Sequence, residues 1–240
     1  MYKTHPVFLD PPEPYQSLWR YLDWPRFYLL LKTRKLFFSS GKVLTSTDPF
    51  EGSLPRKEMA MWRRIMSAEQ LKGGIETFRQ TTYVNSWHYS DTESFAMWKL
   101  YAPTGSGIAI QTSIPKFKQA FEVAARDVFA GKVIYIDYDT DPFYATEDGG
   151  YSVANALVAF IHKRKMFEHE KEYRAVVPKT PDEPQGVGLE VDVDLEMLVN
   201  RVIIAPKTPD WILNAVSLLV GDHLKGIEVG RSIGDLDPPI

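Results

Sequence analysis

The chain has 240 residues, 44% of them hydrophobic and 25% charged, an ordinary globular composition. With 28 basic against 31 acidic residues the net charge is -3, so no global field draws it to nucleic acid, although a local basic patch stays open. The absence of cysteine removes disulfides, thiolate metal sites and cysteine nucleophiles together, and fits a reducing, cytoplasmic setting.

Residues 1–16 carry Pro6, Pro11, Pro12 and Pro14 and read as an extended arm ahead of a single domain over 17–240. They lack an apolar core preceded by positive charge, so no secretory signal is expected. No later run approaches the roughly 18 apolar residues of a membrane helix. Residues 18–22 form a short strand interrupted by Arg20. Asp23 then caps a helix with Pro25 in its first turn, and Phe27, Leu30 and Leu31 face a core. A strand follows at 36–39. Residues 41–55 are polar and turn-rich and read as a loop, longer than a connection needs, and long ordered loops are often functional.

Helical patterns come next at 57–66 and 68–78, the second interrupted by Gly73 and Gly74. Residues 83–88 are β-like, and Ser90-x-x-Glu93 predicts a capping box for a helix over 93–101. Gly105 and Gly107 turn the chain into a strand at 108–112, and Pro115 starts a helix to about residue 125. A strand at 132–138 and a helix at 152–167 lead to strands at 170–177, 188–193 and 202–205. A helix at 210–223 and a strand at 227–229 close the chain. Strands and helices do not alternate regularly, which predicts an α+β domain with a mixed, largely antiparallel sheet flanked by helices.

Four constellations could carry chemistry. On a strand at 170–177, Glu170, Glu172 and Arg174 share one face. Two ionised carboxylates at that spacing, roughly 7 Å, repel by roughly 2 kcal/mol, which Arg174 offsets in part. The same pattern suits an ion-pair ladder. It also suits a pre-arranged acidic pair, because the run turns wholly apolar at Ala175, Val176 and Val177 and looks internal, where bare charges are costly. In the long loop, Asp48 and Glu51 either serve turn chemistry or organise the rim of a site. Arg20, if inward, suits a phosphate or carboxylate. The fourth set is Ser86-Trp87-His88 with Trp98 and Tyr101, three apart on one helical face and equally suited to core packing or to stacking on a planar ring. His162 and His169 sit among charges and are expected to be exposed. Helical zinc spacing, a Gly-rich phosphate loop and a Gly-x-Ser-x-Gly elbow are all missing, so no metal is assigned.

Several of these pieces occur together in one order: Leu18-Trp19-Arg20-Tyr21, Leu36-Phe37-Phe38-Ser39, Asp48-Pro49-Phe50-Glu51, Met97-Trp98-Lys99-Leu100-Tyr101 with Gly107-Ile108-Ala109-Ile110, and Phe167-Glu168-His169-Glu170-Lys171-Glu172-Tyr173-Arg174. The set resembles a bacterial family known as domain of unknown function 2971, from about residue 17 to the C-terminal strand; that name supplies no activity. More distantly, a first strand with a basic residue, a second strand ending in serine and a late Glu-x-Glu strand resemble the layout of ADP-ribosyltransferases. That resemblance implies NAD as substrate, Glu172 as the catalytic carboxylate with Glu170 upstream, and Arg20 as the cofactor anchor. Ser86, Trp98, Tyr101 and Arg174 would help to bind the nucleotide, and Asp48, Glu51 and His88 would form the rim. The middle motif departs from the pattern, since Asn85-Ser86-Trp87 offers one serine where two are expected. The implied setting is a toxin or phage-defence effector acting on a macromolecular target. Two other readings stand beside it: a metal-dependent nuclease or phosphoesterase using Asp48, Glu51, Glu170 and Glu172, and a non-catalytic binding module.

Overall fold

The computed structural model describes residues 1–13, 16–101, 106–143 and 156–236. Along them run β1 (Ser17–Leu22), α1 (Trp24–Thr33), β2 (Lys35–Ser40), α2 (Gly41–Leu44), α3 (Arg56–Trp62), α4 (Ala68–Thr81), β3 (Thr82–Tyr89), α5 (Phe95–Tyr101), β4 (Ile108–Ser113) and α6 (Ile114–Ala120). There follow β5 (Phe129–Lys132), β6 (Ile134–Ile136), β7 (His162–Arg164), β8 (Glu172–Pro178), β9 (Gly188–Asp192), α7 (Leu195–Leu198), β10 (Arg201–Ile204), α8 (Asp210–His223) and β11 (Glu228–Arg231). The result is an α+β chain whose strands pair mostly antiparallel, as expected. The described chain divides into two compact units. The first comprises Met1–Pro12, Phe37–Ser86 and Ala125–Val191, and the second Glu13–Leu36, Trp87–Ala124 and Asp192–Ile240.

In the second unit β1 pairs antiparallel with β4 from Ser17↔Ser113 to Leu22↔Ile108, β10 extends β4 antiparallel, and β11 lies parallel to β10. Tyr21, Ala109 and Ile203 are cross-strand partners and therefore point to one face. Met97 and Trp98 of α5 cover that face, and all five are buried together with Trp19. Asp23 starts α1 by accepting from the Arg26 amide at 2.9 Å, and Arg34, left-handed at φ 57, ends it.

In the first unit β8 pairs antiparallel with β5, with Gly131 opposite Arg174, and also joins β3. On its other edge β3 pairs with β2 at Ser39↔Val84. A short parallel pair, β6 with β7, stands apart at Ile134↔His162. The buried centre is built from Val7, Phe8, Val84, Ile136, Phe160, Ile161 and Val176, among others. Residues Met1–Pro12 are part of this unit. The Lys3 amide donates to the Val128 carbonyl at 2.9 Å, the Lys132 amide donates to that of Leu9 at 2.8 Å, and Val7 and Phe8 are buried. Gly131 is required by this stitching, since a Cβ there would stand 2.8 Å from backbone atoms of Phe8.

Several local expectations are corrected. The helix expected at 152–167 begins outside the described residues, as does the turn at Gly105. From 156 on it is a 3₁₀ turn (Ala156–Phe160), then β7, then a second 3₁₀ stretch (Lys165–Glu170). An unbroken apolar run such as 156–161 carries no period that separates helix from other buried conformations. The strand expected from residue 170 starts at Glu172. Residues 41–55 contain α2, capped by the Ser40 hydroxyl, which accepts from the Val43 amide. α5 begins at Phe95 with Ser94 Oγ accepting from the Met97 amide, while Glu93 is drawn away to the Trp98 indole and the Ile233 amide. His162 is fully buried and Nδ1 faces the Val158 carbonyl at 2.8 Å. No described helix is long and apolar enough to cross a membrane. Gly131→Ala is expected to lower the unfolding free energy by about 1–3 kcal/mol, because backbone must move to admit the methyl. Gly73→Ala meets nothing within 4 Å and should stabilise α4 by up to ~1 kcal/mol. Urea titration of the two variants checks both signs.

Candidate active site: a buried carboxyl cluster around Arg174

The site grows from the turn that precedes β8. The 3₁₀ stretch ends at Lys171, left-handed at φ 41, so Glu170 drops out of the strand's alternation and only Glu172 and Arg174 share a strand face. Gathering the two glutamates then falls to a third residue. Lys163, on β7, donates to Glu170 Oε2 at 2.5 Å and to Glu172 Oε1 at 2.8 Å, with Glu51 Oε1 at 3.7 Å.

Arg174 holds the centre. Its Nε donates to Glu172 Oε2 at 2.8 Å and Nη2 to Glu172 Oε1 at 3.0 Å, one fork. Nη2 also donates to Glu51 Oε1 at 2.6 Å and Nη1 to Glu51 Oε2 at 2.9 Å, a second fork. The remaining Nη1 hydrogen meets the Phe160 carbonyl at 2.8 Å. All donors of the guanidinium are thereby engaged, which is the condition for burying it 1% exposed. Glu51, Lys163, Glu170 and Glu172 are also buried, so Asp48 and Glu51, expected at a rim, lie inside. Asp48 accepts from the Phe50 amide at 3.0 Å and pairs with Arg164 at 2.7 Å, while the Arg164 guanidinium lies over Phe50 and Phe167.

The two glutamates are pushed apart in acidity. Burial raises Glu170, the charge of Glu172 and a hydrogen bond to it raise it further, and Lys163 opposes incompletely, leaving Glu170 at about 7. Burial also works against ionised Glu172, but Arg174 and Lys163 outweigh it and hold that carboxyl well below the usual range. Arg174 and Lys163 both stay cationic, burial being overcome by Glu172 and Glu51. A proton on Glu170 leaves two carboxylates facing two cations, a balanced interior. The arrangement offers one carboxylate held ionised at neutral pH beside one that exchanges a proton near neutrality. Lys163 and Arg174 already occupy these carboxylates, and no described acidic or histidine group has the disposition of a metal site.

Of the residues expected to act together, Asp48, Glu51, Glu170, Glu172 and Arg174 meet in the first unit, and Ser86, half-buried, ends that unit's share of β3. Arg20, His88, Trp98 and Tyr101 belong to the second. There Arg20 lies over the Trp87 ring at 5.9 Å, and burial lowers it to about 10, still cationic at neutral pH. His88 and Trp98 are buried beside Tyr21, and Tyr101 is exposed. Sequence reasoning missed Lys163 because it lay inside an expected helix. Its signal was the run His162-Lys163-Arg164-Lys165 directly after apolar Phe160-Ile161, an abrupt basic block next to an acidic one.

Removing one partner of this cluster strands the rest. Arg174→Met should cost about 3–5 kcal/mol, and Glu51→Gln with Arg174→Met should cost less than the sum of the single changes. Denaturant unfolding of the three variants tests this. The two acidities also set opposite pH limbs. Glu170, raised above its unfolded value of 4.5, contributes stability that is full below pH 4.5 and is lost as pH rises through about 7. Glu172, depressed, contributes stability present above pH 4.5 and lost as pH falls through its folded value. Glu170→Gln should flatten the decline between pH 4.5 and 7 and leave the acid limb, read by thermal melts across pH.

Comparison with known proteins bears on part of this site. Residues 97–175 match the family described as "Protein of unknown function (DUF2971)", a segment that contains Lys163, Glu170, Glu172 and Arg174 but not Glu51. No curated protein matches the chain. Among solved structures, that of Thermus sp. 2.9 DarT in complex with carba-NAD+ is similar at 10% identity and a TM-score of 0.45, covering 94% of this chain and 98% of that one. The sequence resemblance to the family of unknown function is borne out over the residues matched.

Proposed function

We propose that the first unit catalyses transfer at an anomeric carbon, with NAD as the donor of ADP-ribose, as an ADP-ribosyltransferase or NAD glycohydrolase. The observation that carries the reading is the divided pair: Glu172 held ionised by Arg174 and Lys163, and Glu170 titrating at about 7 beside it. As the bond between the ribose anomeric carbon and nicotinamide breaks, the pyridine nitrogen keeps the electron pair and positive charge grows on the ribose. A fixed carboxylate such as Glu172 stabilises that charge. Glu170, once deprotonated, takes the proton of the attacking water or acceptor hydroxyl as the new bond forms. Arg174 positions Glu172 through its fork. An enzyme of this kind would work in the cytoplasm on a macromolecular acceptor, as a toxin or phage-defence effector does.

A second reading has its own support. Five buried ionic groups with every Arg174 donor used also describe a clamp that ties residues 48–51 to β7 and β8, with no reaction. One experiment separates them. Purified protein is incubated with NAD, free nicotinamide and ADP-ribosylated product are measured, and melting temperatures are recorded in parallel. Turnover that falls about 100-fold or more in folded Glu172→Gln, and that rises with pH through about 7 in the wild type but not in Glu170→Gln, supports catalysis. No nicotinamide release by the wild-type protein across protein, DNA and RNA acceptors leaves the clamp.

A further inference from the structure

A second feature of the first unit takes in none of the cluster's ionic side chains among its described lining residues. α3 and α4 wall a cavity of about 380 Å³, at the small end of the roughly 300–1,000 Å³ typical of ligand pockets. Leu71, Gly74, Ile75 and Phe78 of α4 reach it at the spacing of one helical face, and Trp62 joins them from α3. That face is where an amphipathic helix normally meets packed side chains, yet α4 buries only Leu71 and Thr81.

Two details mark the space as built for an occupant. The first is Glu58, the carboxyl group among otherwise apolar described lining residues. It is fully buried, and its Oε1 accepts from the Phe143 amide at 2.7 Å, while its Oε2 has no hydrogen-bond partner. A buried carboxyl oxygen left unbonded is costly, and because Oε2 has essentially no exposed surface, a ligand's donor removes that cost once the carboxyl turns to meet it. The second is Gly74. A Cβ there would meet nothing within 4 Å, so no close packing asks for glycine in mid-helix, where it weakens the helix. What the missing side chain leaves clear is the cavity.

We infer that this cavity binds a small aromatic molecule carrying one N–H donor group, of the amidine or arylamine class, with its ring against Trp62 and Phe78 and its donor on Glu58 Oε2. Aromatic and aliphatic walls supply the apolar contact, and a single carboxyl oxygen fixes orientation. Neither Glu170 nor Glu172 is among its described lining residues, and the inference does not depend on the reaction proposed there.

The probes are benzamidine and toluene, which match in ring size and differ in the donor. Binding is followed by calorimetry and by the shift in melting temperature. Benzamidine should bind the wild-type protein, toluene at least tenfold more weakly. Glu58→Gln, which keeps an acceptor oxygen but loses the acid, should weaken benzamidine at least tenfold and leave toluene unchanged. Gly74→Leu should raise the melting temperature of the free protein and abolish binding of both probes, so loss of binding cannot be laid to misfolding. Absence of benzamidine binding overturns the inference. So does equal binding of benzamidine by wild type, Glu58→Gln and Gly74→Leu.

Discussion

One guanidinium sets the terms for the first unit. Arg174 could not be buried as a bare charge, because desolvation of an isolated ion costs several kcal/mol even after relaxation. It is tolerated because two carboxylates meet it in forks and a backbone carbonyl takes the last hydrogen. Each partner comes from a different stretch: Glu51 from the segment after α2, Phe160 from the turn before β7, Glu172 from β8 itself. The ring of Phe160 packs where Gly41 and Gly52 leave no room for a Cβ, which places its carbonyl for Arg174. Backbone shape, packing and charge balance therefore converge on one side chain.

The same balance determines the acidity of its neighbours. With Glu51 and Glu172 committed to Arg174, Lys163 is left to divide itself between Glu172 and Glu170. Glu170 is the least well compensated of the three carboxyls and keeps a proton to about neutrality. Its acidity follows from the count of charges around it, and the chemistry proposed for the pair rests on that count.

The alternation of residues 172 and 174, the cap of α1, and the bounds of α8 follow from local rules that a sequence displays. Strand alternation puts Glu170 beside Glu172 in the sequence, whereas in the structure a left-handed Lys171 and a lysine from β7 bring it in. Lys163 and the Phe160 carbonyl were not legible. A basic residue after an apolar run looks like a solvated helix end, and a backbone acceptor leaves no trace in residue type. Glu58 was equally hidden, since an acidic residue in the first turn of a helix satisfies the macrodipole and calls for no further account. Loss of regular period across 156–170 is what tertiary pairing imposes when strand and 3₁₀ turns alternate within a few residues.

The sequence separation of 123 between Glu51 and Arg174 bears on the order in which the molecule assembles. Glu172 and Arg174 sit two apart and can pair as soon as β8 is extended, still in contact with water. Glu51 arrives only after a long loop closes, and closure over such a distance is entropically late. Dehydration of the ions therefore belongs to the last stage of folding, when the full set of partners is present. The barrier to reversing that stage includes parting two carboxylates from a dry guanidinium, so the cluster acts chiefly as a brake on unfolding.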